Sequence, residues 1–104
     1  MNTVITSDAK LVDLVDEWLQ RLRAEGRLEG TTINEYERIL RTLVVPQLGG
    51  LRLGELTTVR FNKVLSDLGT QSVNRQRKAK VVTGAMLDSA VALGAWSTTR
   101  YVAR

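Results

Sequence analysis

The chain has 104 residues, a formal net charge of +4 and 43% apolar residues, which suits one globular domain with one small core. It has no cysteine and no histidine, so disulfides, thiolate chemistry, the commonest general base and the commonest zinc ligand are excluded. No apolar run approaches the ~18 residues of a membrane span, and residues 1–9 lack the regions of a signal peptide. We therefore expect a cytoplasmic protein without a cofactor, a metal or a membrane partner, and a pI near 10.0 favours a polyanionic partner.

Periodic apolar residues and a single proline predict an all-α fold, a compact bundle of four main helices. The first helix is expected from residue 7 or 8 to residue 25, after a flexible segment at 1–6. Ser7 or Asp8 would cap it, and Gly26 and Gly30 would end it. Its apolar stripe recurs at spacings of three and four and consists of Leu11, Leu14, Val15, Trp18 and Leu22.

The second helix is predicted from Thr31 or Thr32 to residue 44. Thr32 and Glu35 have the spacing of a capping box. Val45 and Pro46 are expected to stop this helix, because the residue before a proline avoids helical angles. The stripe predicted to be buried comprises Ile33, Tyr36, Leu40, Leu43 and Val44.

A connector at 47–56 with three glycines is predicted to pack its leucines onto the core. Thr57 or Thr58 then caps a third helix that ends near Leu68, where Gly69 fits a left-handed terminator. The apolar side predicted for this helix comprises Val59, Phe61, Val64, Leu65 and Leu68.

The fourth helix is predicted to be capped by Ser72 and to run to about residue 93, before Gly94. Its core stripe comprises Ala79, Val82, Met86, Ala90 and Leu93. At ~100° per residue, Arg77, Lys80 and Gly84 fall on the far side. Gly84 then serves either a close approach of a DNA backbone or a close helix crossing.

Charge is segregated along the chain, because residues 1–30 hold four cations and six acids whereas residues 71–104 hold six cations and one acid. Four of these cations fall within residues 75–80. Such polarity is typical of a nucleic-acid surface. The candidate DNA contacts at the start of the fourth helix are Ser72, Asn74, Arg75, Arg77, Lys78 and Lys80. The alternative is a solvated face kept basic for solubility.

A second candidate set lies on the second helix, whose N-terminus can bind phosphate through free N–H groups. This set comprises Thr31, Thr32, Asn34, Arg38 and Arg41. The threonines have capping alone as an alternative role. Arg41 is four residues from Glu37, so the two side chains could simply pair on the surface.

Three stretches carry a resemblance to a known family. They are Gly-Thr-Thr-Ile-Asn-Glu-Tyr at 30–36 with Arg-Ile-Leu at 38–40, Pro-Gln-Leu-Gly at 46–49 with Leu-Gly-Glu-Leu-Thr at 53–57, and Ser-Val-Asn-Arg at 72–75 with residues 86–94. In this order and spacing they resemble the SAM-like, core-binding N-terminal domain of phage integrases and other tyrosine recombinases. The Asn-Pro pair that commonly follows that family's last helix is replaced here by Thr99 and Arg100.

The resemblance implies a SAM-like helical domain at residues 7–96 that clamps one face of duplex DNA. Residues 97–104 would be a tail or the start of a linker to an absent catalytic domain, so this chain itself would not be an enzyme. Tyr101 has no histidine or arginine pair around it and is not expected to be a nucleophile. The implied partners are double-stranded DNA and, in the full-length protein, other recombinase subunits, and the isolated domain is expected to be a monomer. The expected location is the cytoplasm of a bacterium or phage-infected host, in association with the nucleoid. The alternative function is a helical protein–protein interaction module.

Overall fold

The computed structural model describes residues 8–92, and within them it contains helices and one isolated backbone bridge between Lys10 and Arg52. The helices are α1 (Leu11–Glu25), α2 (Gly30–Ile39), a π turn (Leu40–Val44), α3 (Val45–Leu48), a 3-10 turn (Leu53–Glu55), α4 (Thr58–Gln71) and α5 (Val73–Ala92). The predicted all-α fold with four main helices is confirmed. The Cα radius of gyration of 13.1 Å is that of a compact domain of this length.

Helix α1 begins three or four residues later than predicted. Lys10 is its N-cap, and the Asp13 carboxylate accepts a hydrogen bond from the Lys10 backbone N–H at 3.2 Å. Gly26 ends the helix with a φ of 69°, a left-handed conformation that glycine adopts without strain. The predicted stripe is buried except for Leu22, which is partly buried, and Leu19 joins the core beside it.

Helix α2 begins at Gly30 with Glu29 as N-cap, so the predicted Thr32–Glu35 capping box is wrong. Thr32 lies inside the first turn and donates its backbone N–H to the Glu29 carbonyl. The Trp18 and Tyr36 rings stack at 5.9 Å and join α1 to α2, which fits the core-packing interpretation of both aromatic residues.

The helical path does not stop at Val45 and Pro46, contrary to the prediction. The Val45 N–H donates to the Leu40 carbonyl five residues back, which makes the preceding turn a π turn. Pro46 then lies in the first turn of α3, where a backbone N–H is not required. The widened turn therefore lets the chain pass a proline while Leu40 and Val44 remain buried.

Helix α4 is capped by Thr57, whose hydroxyl accepts from the Arg60 N–H at 3.2 Å. It continues through Gly69 to Gln71, so the prediction that Gly69 ends it is wrong. Val59 is 78% exposed and not part of the core. It lies two residues, or about 200°, from Phe61, which places it opposite the buried face.

Helix α5 packs against α1, α2, the π turn and α4. One face of its second half is buried against the rest of the fold and comprises Val82, Thr83, Gly84, Met86, Leu87 and Ala90. Gly84 is therefore not on an exposed far side, and of its two alternatives the structure supports helix packing. The predictions for residues 1–7, for Leu93 and Gly94, for a domain end at residue 96 and for residues 97–104 lie outside the described residues.

Candidate nucleic-acid interface

Basic side chains on α1, α2 and the π turn are held by the protein's own carboxylates. The pairs are Arg21–Glu17 at 2.7 Å, Arg23–Glu37 at 3.1 Å, Arg38–Glu35 at 2.6 Å and Arg41–Asp16 at 2.6 Å. Arg41 also contacts Glu37 at 2.9 Å, so the surface pair offered as its alternative role is present. These cations are committed to internal contacts.

Most basic side chains on α4 and α5, in contrast, have no carboxylate partner in the described part of the chain. Among residues 8–92, five of them are exposed and have no carboxylate within 4.0 Å: Arg60, Lys63, Arg75, Arg77 and Lys80. Lys78 has a single long contact, 3.8 Å to Glu35. The two acids on these helices are Asp67 and Asp88. This part of the surface therefore has an uncompensated positive field.

A cleft of about 480 Å³ separates α2 and the π turn from the start of α5, and we call it the α2–α5 cleft. It brings together five of the residues predicted from the sequence to contact DNA. They are Arg38, Ser72, Asn74, Arg75 and Lys78. Ile39, Thr42 and Leu43 complete its lining.

A second groove of about 490 Å³ lies between α4 and α5 and is called the α4–α5 groove. Arg77 and Lys80 line it from α5, facing Asn62 and Ser66 of α4. The predicted outward position of Arg77 and Lys80 is confirmed, since both are exposed. The first half of α5 thus projects between two clefts, each with cations on its wall.

The direction of α5 is set by a joint of one residue, because Ser72 alone separates α4 from α5. The Ser72 N–H donates to the Leu68 carbonyl, and its hydroxyl accepts from the Arg75 N–H at 3.3 Å. The Gln76 amide donates to the Leu65 carbonyl at 3.0 Å and links the two helices again. The cap predicted at Ser72 is therefore present. These bonds also fix the angle at which the first half of α5, with the cations at 75–80, leaves α4.

Two candidates from the second helix point away from both clefts. The Asn34 side-chain carbonyl accepts from Arg23 of α1 at 3.1 Å, and Arg41 bridges Glu37 to Asp16 of α1. Asn34 and Arg41 therefore belong to the α1–α2 contact, which the sequence prediction missed.

Thr31 and Thr32 lie in the first turn of α2, the former exposed and the latter half-buried. Thr31 is four residues before Glu35 and seven before Arg38, so the three share one face of the helix. The proposed phosphate contacts of both threonines remain predictions.

Two glutamates of α2 are strongly ion-paired. The hydrogen bond from Arg38 lowers the pKa of Glu35, helped by the charges of Arg38 and Lys78. Hydrogen bonds from Arg41 and then Arg23 lower the pKa of Glu37. Both carboxylates are therefore ionised at neutral pH, and Glu35 places a negative charge beside the α2–α5 cleft.

Sequence reasoning missed several residues of these surfaces. Glu35 was assigned to a cap, although its spacing of three from Arg38 is that of a helical ion pair. Arg60 and Lys63 were not selected, although they share a spacing of three on α4. Asn62 and Ser66 had no signal in the sequence, because their role depends on α5 lying beside α4.

The fold and its basic face define an all-α, SAM-like domain with one polarised surface. The chain belongs to the phage integrase N-terminal SAM-like domain family, whose model matches residues 10–69. The match extends from α1 through most of α4, and the cations at residues 75–80 of α5 lie outside it. No curated protein and no solved structure matches the chain significantly.

Residues 8–92 lack a membrane-spanning helix and a candidate metal site. No helix there is long and apolar enough to cross a bilayer. No group of three or more acidic, histidine or cysteine side chains there could hold a metal ion.

Proposed function

We propose that the chain is the DNA-binding domain of a site-specific tyrosine recombinase, which clamps duplex DNA at the recombination site and positions a catalytic domain. The observation that carries this proposal is the set of exposed, unpaired cations around the first half of α5 in a member of the integrase family. Other subunits of the recombinase are the further expected partners, and the isolated domain is expected to be a monomer in the cytoplasm, associated with the nucleoid.

Cations without an internal partner are free to bind phosphate. A cation that neutralises a DNA phosphate releases condensed counterions, which supplies most sequence-independent affinity. Arg77 and Lys80 can do so without breaking an internal ion pair, since no carboxylate of residues 8–92 lies within 4.0 Å of either. Arg41 would first have to leave Glu37 and Asp16. The α5 cations are therefore the principal contacts in this proposal.

The shape of the surface favours insertion of α5 into the major groove. That groove is about 12 Å wide and admits one α-helix. The clefts on both sides of α5 leave room for the groove walls, with Arg75 and Lys78 near one strand and Lys80 near the other. Asn74 would then reach base edges, where asparagine suits adenine, while Arg77 would contact a phosphate beside Lys80.

The test is a salt titration of DNA binding with the variant Arg77→Gln/Lys80→Gln. Contacts to ~4 phosphates give the unmodified domain a slope of log K against log salt near −3.6, and loss of two contacts reduces it to about −1.8. Lys10→Gln/Arg52→Gln is the matched control, because both side chains are exposed, the charged group of neither has a carboxylate within 4.0 Å among residues 8–92, and both lie outside the two clefts.

Equal slopes for the two double variants would contradict the assignment of the site to α5. Binding that hardly depends on salt, or no binding, would contradict the DNA-binding function. That result would favour the helical protein–protein interaction module.

A further inference from the structure

Glu35 joins the two walls of the α2–α5 cleft. Its carboxylate accepts hydrogen bonds from Arg38 Nε at 3.0 Å and from Arg38 Nη2 at 2.6 Å. The same carboxylate lies 3.8 Å from Lys78 Nζ on α5. One acidic side chain thus engages two of the three cations that line this cleft.

A carboxylate and a phosphate present the same pair of oxygens to an arginine fork. The bidentate contact of Glu35 with Arg38 therefore occupies the donors that a DNA phosphate would use. Any phosphate that enters the cleft also meets a like charge. Binding there requires Arg38 and Lys78 to exchange an internal anion for an external one.

We propose that Glu35 is an internal counter-ion that duplex DNA must displace from Arg38 and Lys78. This inference rests on the proposed DNA-binding function. Glu35 lowers the affinity of the α2–α5 cleft for phosphates in general, whereas Arg77 and Lys80 stay free to make first contacts. Breaking the contacts of Glu35 with Arg38 and Lys78 costs free energy, and only a duplex that also makes base contacts with α5 offsets that cost. Glu35 therefore raises the ratio of specific to non-specific DNA binding.

Glu37 provides a matched control for this proposal. It lies on the same helix two residues away, and it too is paired with two cations, Arg41 and Arg23. Its pairs face α1 rather than the cleft. Glu35→Gln and Glu37→Gln therefore make the same change in net charge and break comparable ion pairs, but only the first frees donors in the cleft.

The experiment is a salt titration of each variant with a short random-sequence duplex. Glu35→Gln should tighten binding about three- to ten-fold at low salt and steepen the slope by about 0.9 to 1.8, the value for one or two added phosphate contacts. Glu37→Gln should leave the slope unchanged. In the double variant Glu35→Gln/Arg38→Gln the gain should shrink, because Arg38 no longer supplies the freed donors.

Thermal melts first confirm that every variant is folded. Equal titrations for Glu35→Gln and Glu37→Gln would overturn the inference and leave the DNA-binding function standing. Weaker binding by Glu35→Gln would overturn it in favour of a positioning role, in which Glu35 holds Arg38 ready for phosphate. Absence of salt-dependent binding by the unmodified domain would remove both proposals together.

Discussion

Thr83 is fully buried in the middle of α5, and its hydroxyl has no hydrogen-bond partner among residues 8–92. A buried hydroxyl that has lost water without gaining a partner destabilises a fold by roughly 1–3 kcal/mol. Because the surrounding positions of α5 are apolar and well buried, the methyl group of Thr83 contributes to packing while the hydroxyl opposes it. This residue is therefore a point at which the fold can be improved.

Thr83→Val should raise the free energy of unfolding by about 1 kcal/mol, since valine keeps the shape, has a similar helix propensity and removes the unpaired group. Urea denaturation is the measurement. Thr42→Val is the control, because the Thr42 hydroxyl donates to the Arg38 carbonyl at 2.6 Å and its loss should bring no gain. A less stable Thr83→Val protein would mean that the hydroxyl is hydrogen-bonded in solution.

The joint between α4 and α5 depends on close contact between Gly69 and Gln76. A Cβ added at Gly69 would lie 2.7 Å from Gln76 Nε2 and 3.0 Å from its Cδ. The Gln76 amide cannot move away without losing its bond to the Leu65 carbonyl. Gly69 is thus explained by the close approach of a side chain, and not by the left-handed terminator predicted from the sequence.

A double-mutant cycle tests this explanation. Gly69→Ala alone should leave stability nearly unchanged, because a helix-propensity gain of about 1 kcal/mol is offset by the lost Gln76 hydrogen bond. In a Gln76→Ala background the same change should stabilise by about 1 kcal/mol, since the obstruction is gone. Denaturant titrations of the four proteins give the coupling. Additive effects would show that the two side chains do not meet.

The sequence predicted the helical class and much of the core because these follow from local spacing. Ser72 is a cap as predicted, and Thr57 is the cap of the two threonines offered for α4, since a cap involves residues three apart. The π turn before Pro46 could not be predicted from local spacing. It occurs where Leu40 and Val44 are buried against other parts of the fold, and those contacts are not visible in the sequence.

The candidate site shows the same division. The cationic cluster at 75–80 was visible as a local excess of charge. The internal pairs of Arg41 with Asp16 and of Lys78 with Glu35 join residues far apart in the chain. Which cations are free depends on which helices are neighbours, and the sequence does not specify that directly.

Within residues 8–92, most of the free positive charge lies on α4 and α5, while α1 and α2 neutralise their cations internally. In the proposed DNA-binding function, this separation orients the molecule toward the duplex before any contact forms. Arg60 and Lys63 extend the positive region, but they line a different depression of about 300 Å³ with Gln47, Leu51 and Asp67. They are therefore separated from the α4–α5 groove by the width of α4, about 10 Å.

Arg60→Gln/Lys63→Gln should consequently weaken DNA binding through the long-range field alone. At that separation the effect is screened once salt reaches about 0.1 M, where the Debye length is ~10 Å. The slope of log K against log salt should change by less than about 0.9, the value for one phosphate contact. Arg77→Gln/Lys80→Gln has the same change in charge and should change the slope by about 1.8. If the slope of log K against log salt falls by about 1.8 for both double variants, the duplex also contacts α4. The proposed interface, limited to the two sides of α5, would then be too small.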